Sequence, residues 1–469
     1  LVGFFPGVTA TMAVALASSF TLTLNPIQGL AVLLTIYVSS GFGDRIPAIL
    51  INTPGTPASI ATTFDGYPMA KNGRAGIALT SSAIVTAVGS MVGVLVLITV
   101  AIPLSTLALK FGPAEMFMLV VFGLTMMVGV SGGNILKGLI SGLVGLLLAV
   151  VGQDPMTGIM RFTFGINELA DGIPFIAAIL GLFGVAEVLD QISTRNKKHG
   201  PKIISQFGRW WPNKAEYKEM VKPTIIGSVT GTIVGIVPAA GGDIAGIVAW
   251  DQARRLSKHP EKFGKGSLEG VAAADSSSAS TQGGSLTTTL ALGVPGDTVM
   301  AVMIGSMVIW GLQPGPSLFA KHPDLVFSIA GIMTVAVVLS LFVSLLRLRG
   351  AVKLLMLPPE YLWTAVLIFC MIGTYAIQNS VFQVMIMLIF GVLGLIFRRF
   401  GFPAGPMVLG LILGNLAESN LRRALLIDGV NSFVKSPIAM GFLLVSIAAI
   451  VWPIIQDKRK ARKALTLQK

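Results

Sequence analysis

Residues Ile51 to Gly76 read INTPGTPASIATTFDGYPMAKNGRAG and lie between long apolar stretches of the chain. The segment places prolines, glycines and small hydroxyl residues where a membrane-spanning helix would be expected to continue. Proline removes a backbone donor and breaks a helix, and glycine permits positive φ and close backbone approach. In hydrocarbon, irregular backbone is tolerated only where protein buries it or where it lines a wet cavity. The segment therefore predicts an interrupted helix beside a cavity.

The composition is that of an integral membrane protein. Of the 469 residues, 53% are hydrophobic and only 12% are charged, whereas soluble proteins carry about 25% charged residues. Apolar runs recur along the whole chain, at residues 77–102, 114–130, 136–151, 173–189, 325–346, 361–377, 381–397 and 437–455. We predict an all-α integral membrane protein with about 10 to 12 transmembrane helices, some of them broken or folded into re-entrant hairpins.

The positive charge of the chain is concentrated beside membrane segments. The formal net charge is +13, and of 34 Lys and Arg residues eight lie in 195–222, five in 254–265 and six in 458–469. By the positive-inside rule these clusters mark the cytoplasmic face. No aromatic platform or recognition motif accompanies the charge, so we expect no nucleic-acid partner. The chain opens at Leu1 inside the motif-like stretch GFFPG, and we expect a further segment to precede it.

The two halves of the chain carry the same motifs in the same order, which indicates a duplication. The matched pairs are GFFP at Gly3 with GIVP at Gly235, AILINTPGT at Ala48 with TLALGVPGD at Thr289, and GPAE at Gly112 with LPPE at Leu357. The offsets between these starting positions are 232, 241 and 245 residues. A longer basic insert in the second half, residues 254–266, accounts for the first increase.

The charges of corresponding loops are reversed between the halves. In the first half, loop 21–29 is uncharged and the loop around Lys71 and Arg74 is basic, whereas in the second half loop 254–265 is basic and loop 311–317 is uncharged. Such a reversal is typical of inverted-topology repeats. We therefore divide the chain into a first transmembrane repeat, a basic cytoplasmic linker, a second transmembrane repeat and a basic cytoplasmic tail, at residues 1–190, 191–222, 223–456 and 457–469.

Four interrupted segments form two related pairs, PGVTAT at 6–11 with PAAGGD at 238–243, and NTPGTPAS at 52–59 with GVPGDT at 293–298. A broken helix presents free N–H groups at one half-helix start, which suit a carboxylate, and free carbonyls at the other end, which suit sodium. Gly and Pro are frequent in membrane helices, so a single break would be read as an ordinary kink. Four breaks at matching positions favour a binding site.

We assign the site residues from these breaks. The predicted substrate-binding residues are Arg45, Asn52, Thr53, Pro54, Gly55, Thr56, Ser59, Pro295, Gly296 and Thr298. The predicted cation-binding residues are Gly7, Thr9, Gly241, Gly242, Asp243 and Asp297, with Na⁺ placed near the two aspartates. We expect no cofactor beyond a coupling ion, Na⁺ or H⁺. If the protein carries its substrate across the membrane, a bulky residue at Gly55 or Gly296 is expected to abolish uptake of that substrate and to leave folding largely intact.

Several of these assignments have alternatives that the sequence leaves open. Asp243 and Asp297 each sit where a helix N-cap would also sit. Arg45 suits a bidentate pair with a substrate carboxylate, but a pair with Asp44 or a snorkelling side chain fits equally. The polar run 275–282, DSSSASTQ, is a second candidate for the cavity lining. Asp65 is expected to be structural.

These motifs resemble those of the TctA family, the large membrane subunit of tripartite tricarboxylate transporters. The stretches that carry the resemblance are PGTPASIATTFDGYPMAKNGRAG, GGDIA, LSKHPEKFGKGSLEGVAA and VPG followed by GLQPGP. The resemblance implies a secondary transporter of the bacterial inner membrane that takes up citrate or a related carboxylate with a sodium or proton gradient. It also implies two partners, a small TctB-like membrane subunit and a periplasmic TctC-like solute-binding protein.

The chain departs from the family pattern at three places. It has PGVTAT at 6–11 where family members tend to read PGxGPT, FGDRI at 42–46 where they often have a YGGSI-like run, and DSSSAS at 275–280 where they commonly carry EAANNA. All three flank the predicted cavity. A carboxylate is therefore expected as substrate, and citrate itself does not follow.

Two other classes of function are weighed against transport. Residues 240–243, AGGD, resemble the glycine-aspartate signature of intramembrane aspartyl proteases, which need two aspartates sharing a proton. No Tyr-Asp dipeptide occurs in an apolar helix, and no Pro-Ala-Leu follows late in the chain, so we expect no enzyme. A passive anion channel would show repeated polar lining positions, and a duplicated pair of breaks fits alternating access better.

Overall fold

The structure is a computed structural model that describes residues 3, 9–130, 135–194, 207–238, 241–322, 324–355 and 359–466. Within these residues it is almost entirely helical, and the prediction of an all-α protein is confirmed. Chain order gives α1 Ala10–Thr21, α2 Pro26–Gly43, α3 Arg45–Ile51, α4 Ile60–Met69, α5 Ala75–Ala108, α6 Pro113–Val130, α7 Ile135–Ala149, β1 Gly152–Gln153, β2 Met160–Arg161, α8 Phe175–Ile179, α9 Ala186–Thr194 and α10 Lys214–Ile236. It continues with α11 Gly241–Leu256, α12 Leu268–Leu292, α13 Thr298–Ile309, α14 Pro316–Lys321, α15 Asp324–Leu355, α16 Pro359–Gln378, α17 Val381–Arg399, α18 Ala404–Asp428, α19 Asn431–Lys435 and α20 Pro437–Thr466.

Six helical segments of the described chain are long and apolar enough to cross a membrane. They are Pro26–Ile51, Pro57–Ala108, Phe175–Ser193, Asp324–Leu346, Tyr361–Gln378 and Val381–Arg399. Shorter apolar helices accompany them, at Ala10–Thr21, Pro113–Met126, Ile135–Ala149, Thr298–Ile309 and Pro437–Val451. The chain is therefore a multi-pass membrane protein.

The chain divides into two compact units, unit one with Leu1–Ala108 and Ile176–Leu395, and unit two with Leu109–Phe175 and Ile396–Lys469. A compact unit and a sequence repeat are different properties, so the predicted domain boundaries and the inverted topology of the repeats stay predictions. One local feature does recur between the matched motifs. The helices before the two central breaks end at Asn52 and at Gly293, which occupy matched positions in those motifs.

Helix α12 lies at the centre of unit one and packs along α5, α10 and α11. Every residue of α12 except Glu269 is buried. Close approach is possible because α5 and α10 present glycines to it: a Cβ on Gly89 would lie 2.2 Å from the carbonyl oxygen of Ser276, and one on Gly231 would lie 2.0 Å from that of Ser277. Small residues at such spacing are the usual means by which membrane helices associate.

Hydroxyl groups on one face of α12 bind the backbone of α10. Ser280 donates to the carbonyl oxygen of Ser228 at 2.9 Å, and Thr281 donates to that of Gly231 at 3.1 Å. Further along, Thr288 donates to the carbonyl oxygen of Ile236 at 2.7 Å. Much of the polar run that was predicted as a cavity lining therefore serves helix packing.

Unit two contains α6, α7, α18, α19 and α20, together with the antiparallel ribbon of β1 and β2. An ion-pair network braces this ribbon against α18. Arg161 makes two hydrogen bonds to the carboxylate of Glu418, at 2.7 and 3.0 Å, and Arg422 binds Asp154 at 2.8 Å. A bidentate pair of this kind holds its partners in a defined orientation.

Candidate substrate and ion site

The first break begins where α3 ends. Asn52 adopts left-handed backbone angles, φ 55° and ψ 30°, which a non-glycine residue adopts rarely and asparagine more readily than most. Residues 53–56 are irregular, and a single 3₁₀ turn, Pro57–Ser59, leads into α4. Thr56 and Ser59 close this turn with reciprocal capping hydrogen bonds. The prolines and glycine thus interrupt the helix as the sequence predicted.

The second break begins where α12 ends. Gly293 is left-handed, with φ 73°, and a Cβ there would lie 2.7 Å from the carbonyl oxygen of Pro314. The hydroxyl of Thr289 accepts a hydrogen bond from the freed N–H of Gly296 at 3.2 Å. Asp297 caps α13, because its carboxylate accepts from the N–H of Met300 at 2.8 Å. The N-cap role that the sequence left open for Asp297 is therefore present in the structure.

The start of α11 lies between the two breaks. A Cβ placed on Gly241 would lie 3.8 Å from the Cβ of Asp297, and one on Gly242 would lie 3.4 Å from the Cβ of Ala58. A larger side chain at either position would fill the space between the breaks. The structure therefore brings the first break, the second break and the glycines before Asp243 to one place.

The start of α1 also reaches the second break. Thr9 caps α1 by accepting from the N–H of Met12 at 3.2 Å, and the hydroxyls of Thr11 and Thr298 share a hydrogen bond of 2.9 Å. Gly7, which was predicted to bind a cation, lies outside the described residues, as do its neighbours from Phe4 to Val8.

Asp243 is the carboxylate at the two breaks that is most open to a ligand. Asp243 is exposed, in contrast to the buried carboxyl groups of Asp44 and Asp275. Among the described residues no hydrogen bond or ion pair to its carboxylate is present, and its charge repels that of Asp297. It stands in the first turn of α11, where the helix dipole favours a negative charge.

Arg45 is engaged within the protein. Its Nε lies 3.2 Å from a carboxylate oxygen of Asp275, and its guanidinium donates to the hydroxyl of Ser278 at 2.6 Å. The other amino group lies 3.4 Å from Asp44. The pair with Asp44, one of the open alternatives, is thus present. Arg45 binds a substrate carboxylate only if it leaves Asp275.

Sequence reasoning missed Tyr37, whose hydroxyl donates to the carboxylate of Asp297. Its own carbonyl oxygen accepts from the amide of Gln282 at 3.0 Å, so α2 joins α12 and the second break through this residue. In the sequence, Tyr37 is marked only by being a tyrosine in the apolar helix α2. Such a residue usually belongs to the hydrophobic core, and its partner lies 260 positions away.

Asp65 has the structural role that was expected from the sequence. One carboxylate oxygen accepts from the N–H groups of Gly264, Gly266 and Ser267 at 2.8 to 3.0 Å, and the other accepts from the indole of Trp250 at 2.7 Å. This carboxylate therefore fixes the basic loop before α12 onto α4.

The two acidic residues predicted to bind a cation, Asp243 and Asp297, both lie where the two breaks meet. Within the described part of the chain there is no group of three or more His, Cys, Asp or Glu side chains placed to hold a metal ion. Some carbonyl oxygens at these helix ends are already engaged: that of Ile51 accepts from the hydroxyl of Thr53 at 3.3 Å, and that of Leu290 accepts from the N–H of Gly315 at 3.0 Å. The predicted sodium site at Asp243 and Asp297 therefore stays a prediction.

Comparison with known proteins agrees with these features. The chain is 37% identical over 465 residues, 98% of this chain and 92% of the relative, to an uncharacterized 52.8 kDa protein in the TAR-I ttuC' 3' region of Agrobacterium vitis. It is 34% identical over 234 residues, 49% of this chain and 97% of the relative, to an uncharacterized protein in the TAR-II ttuC' 3' region of the same organism. No solved structure matches the chain significantly. The model of the tripartite tricarboxylate transporter TctA family matches residues 1–409, so the chain belongs to that family.

Proposed function

We propose that the protein is the large transmembrane subunit of a tripartite secondary transporter that takes up a di- or tricarboxylate together with Na⁺ or H⁺. Family membership supports transport across a membrane. The single observation that carries the residue-level proposal is the position of Gly241 and Gly242 between the two breaks. The same place holds the starts of three helices and the two acidic side chains, Asp243 and Asp297.

In the proposal, the groups at the two breaks bind either the substrate or the coupling cation. The half-helix starts of α4, α11 and α13 offer N–H groups and positive dipole ends to the substrate carboxylates. Asn52, Thr53 and Thr298 add side-chain donors beside them, and all three are at least partly accessible. Asp243 and Asp297 hold the coupling cation, whose charge offsets that of the substrate.

The proposed transporter works with two partners in the bacterial inner membrane. A periplasmic TctC-like protein delivers the carboxylate from outside, and a small TctB-like subunit accompanies the large one in the bilayer. The basic linker 191–222 and the tail 457–469 face the cytoplasm, in keeping with the positive-inside rule. Movement of part of the protein then opens the site inward.

Bulky replacements at the break glycines do not test this proposal cleanly. A Cβ on Gly55 would lie 2.6 Å from the carbonyl oxygen of Gly3, and one on Gly296 would lie 2.4 Å from the Cα of Ser285. Real Cβ atoms do not approach other atoms so closely. Leucine at either position would disturb folding itself, contrary to the expectation from sequence.

Asp243→Asn is the better test, because Asp243 is exposed and has no hydrogen-bonding partner among the described residues to lose. We would reconstitute the membrane subunits in proteoliposomes with the solute-binding protein outside, and measure uptake of labelled citrate and of C4 dicarboxylates. The wild type should take up at least one of them only with an inward Na⁺ or H⁺ gradient. Asp243→Asn should weaken the dependence on the cation, whereas Asp251→Asn, on a half-exposed position of the same helix, should not.

The same experiment separates the alternatives. Flux of the carboxylate that persists without any cation gradient would indicate a channel. Cleavage of a membrane-embedded peptide that is lost in Asp243→Asn and in Asp297→Asn would indicate an aspartyl protease. Uptake by Asp243→Asn with unchanged cation dependence would remove this residue from the ion site.

A further inference from the structure

Asp44 lies at the joint between α2 and α3, directly against the first break. Its N–H donates to the carbonyl oxygen of Ser40 at 3.0 Å, and its carbonyl oxygen accepts from the N–H of Gly55 at 3.2 Å. Its carboxyl group is hydrogen-bonded to the hydroxyl of Thr56. One residue thus contacts the end of a long membrane helix and the irregular segment of the break.

The charges around Asp44 do not balance. The side chains of Asp44, Arg45 and Asp275 are 4%, 3% and 0% exposed, so two carboxyl groups and one guanidinium are buried together. The charged groups that face Asp44 are Arg45 of α3, Asp275 of α12 and, further off, Asp243 of α11. Within the described residues this leaves a buried excess of negative charge. Such an excess is strongly unfavourable unless a positive charge compensates it.

A proton fits this position better than a metal cation. One carboxyl oxygen of Asp44 already faces the guanidinium of Arg45 at 3.4 Å, and the other faces the hydroxyl of Thr56. A sodium ion needs several oxygen ligands and would be repelled by the guanidinium at this distance. A proton needs only one oxygen and no further space.

The contacts also indicate which carboxyl group holds the proton. Asp275 faces the guanidinium through its carboxylate, at 3.2 Å, and through its backbone carbonyl, at 3.0 Å, and it accepts from Thr62 as well. Asp44 has the longer contact with Arg45. The second carboxylate oxygen of Asp275 is buried without a hydrogen-bond partner among the described residues, so a proton there would have no acceptor, whereas a proton on Asp44 can be donated to the hydroxyl of Thr56.

We propose that Asp44 is a proton-binding site of the transporter and that its proton accompanies the substrate. This inference rests on the proposed function and names the residue that carries H⁺. Ionised Asp44 only accepts a hydrogen bond from Thr56, whereas protonated Asp44 can also donate one. Proton occupancy therefore changes the contact that holds the first break. The proton enters from the outside, stays on the carboxyl oxygen during the movement and leaves to the inside, with no other bond made or broken.

Infrared spectroscopy tests the proton site without any substrate. Protonated carboxylic acids absorb in a carbonyl-stretching region of their own, apart from ionised carboxylates. The wild-type protein in lipid at neutral pH should show such a band, and Asp44→Asn should lose it. Asp251→Asn, which removes a half-exposed carboxylate on α11, should keep the band. A band that persists in a folded Asp44→Asn protein would overturn the proposal.

Transport measurements then test the coupling. In proteoliposomes, wild-type uptake of a labelled carboxylate should rise when the outside is made more acidic than the inside. In Asp44→Asn, the stimulation of uptake by the pH gradient should be at least tenfold smaller than in the wild type. This variant should still exchange labelled for unlabelled substrate across the membrane. Unchanged stimulation in Asp44→Asn would overturn the inference and leave the proposed function intact. If the wild type moves no carboxylate, the proposed function itself fails, and the infrared result still decides whether Asp44 binds a proton.

Discussion

Asn52 and Gly293 occupy the same backbone position in two separate breaks: each is the left-handed residue at which a helix stops, with φ and ψ of 55° and 30° in one and 73° and 12° in the other. They lie 241 residues apart, at matched positions of the two repeated motifs. Glycine and asparagine are the residues that adopt this conformation most readily. The matched breaks therefore have a matched local geometry, whatever their orientation in the membrane.

Variants of Asn52 separate its conformational role from a ligand role. Asn52→Gly keeps the left-handed geometry and removes only the exposed side chain, so we expect normal thermal stability. If the amide binds substrate, the Kd should weaken about fivefold, which corresponds to about 1 kcal/mol for one hydrogen bond. Asn52→Val should lower Tm, because a β-branched residue is strained at positive φ. Equal Tm values for the two variants would contradict the conformational argument.

Removal of Arg45 from its buried pair with Asp275 should be strongly destabilising. Arg45→Met leaves Asp275 as a buried carboxylate without its partner, and we expect a loss of about 3–5 kcal/mol. Asp275→Asn leaves Arg45 its contact with Asp44 and should cost less. The double variant removes both charges and should recover part of that loss. Thermal unfolding in detergent measures the three proteins, and a double variant no more stable than the worse single one would contradict the pairing.

Glycines of α10 that face α12 should not tolerate a side chain. Gly231→Val would place a Cβ 2.0 Å from the carbonyl oxygen of Ser277, and we expect a loss of at least about 1–3 kcal/mol from overpacking. A Cβ on Gly331 of α15 would meet no atom of the described residues within 4 Å. Gly331→Val is therefore the matched control and should unfold near the wild-type temperature.

Loss of the Asp65 carboxylate should release the basic loop before α12. Asp65→Ala leaves the N–H groups of three loop residues and the indole of Trp250 without their acceptor, and a donor that stays buried without an acceptor, such as the N–H of Ser267, costs about 1–3 kcal/mol. Trypsin should then cleave faster at Lys258, Lys262 and Lys265. Glu261→Gln changes an exposed loop residue and should leave the cleavage rate as it was.

The ion-pair network of unit two should have a defined pH dependence. The N–H of Met156 holds the pKa of Asp154 well below its ordinary value, with smaller contributions from Thr157, Arg422 and Arg161. A carboxyl group of this kind stabilises the folded state at every pH above its unfolded pKa of about 3.9. The Tm advantage of the wild type over Asp154→Asn should be constant from about pH 5 to 8 and should shrink as the pH falls below about 4. An advantage that grows on acidification would contradict the assignment.

The breaks themselves were predictable from the sequence because proline and glycine act locally. Pro54 and Pro295 cannot continue a helix, and the left-handed residue two positions before each, Asn52 or Gly293, ends it. The duplication made the prediction firmer, since the same residues recur at matched positions. The family could be recognised from the same stretches.

The neighbours of the breaks could not be predicted, because they depend on tertiary packing. Nothing local places Arg45 against Asp275, which lies 230 positions away in a run of small polar residues. Two of the stretches that depart from the family pattern, 42–46 and 275–280, therefore contact each other. The hydroxyls that bind α10 could have been suspected from their spacing, since Ser276 and Ser280 repeat every four residues along one helix face.

The burial of α12 bears on how the protein is made. Residues 268–292 hold an aspartate, a glutamine and many hydroxyl groups, and this helix is not among the segments apolar enough to enter a bilayer alone. Its polar face packs against α5 and α10, and its aspartate binds Arg45 of α3; all three helices are synthesised earlier. We therefore expect α12 to insert against helices that are already in the membrane rather than into lipid by itself.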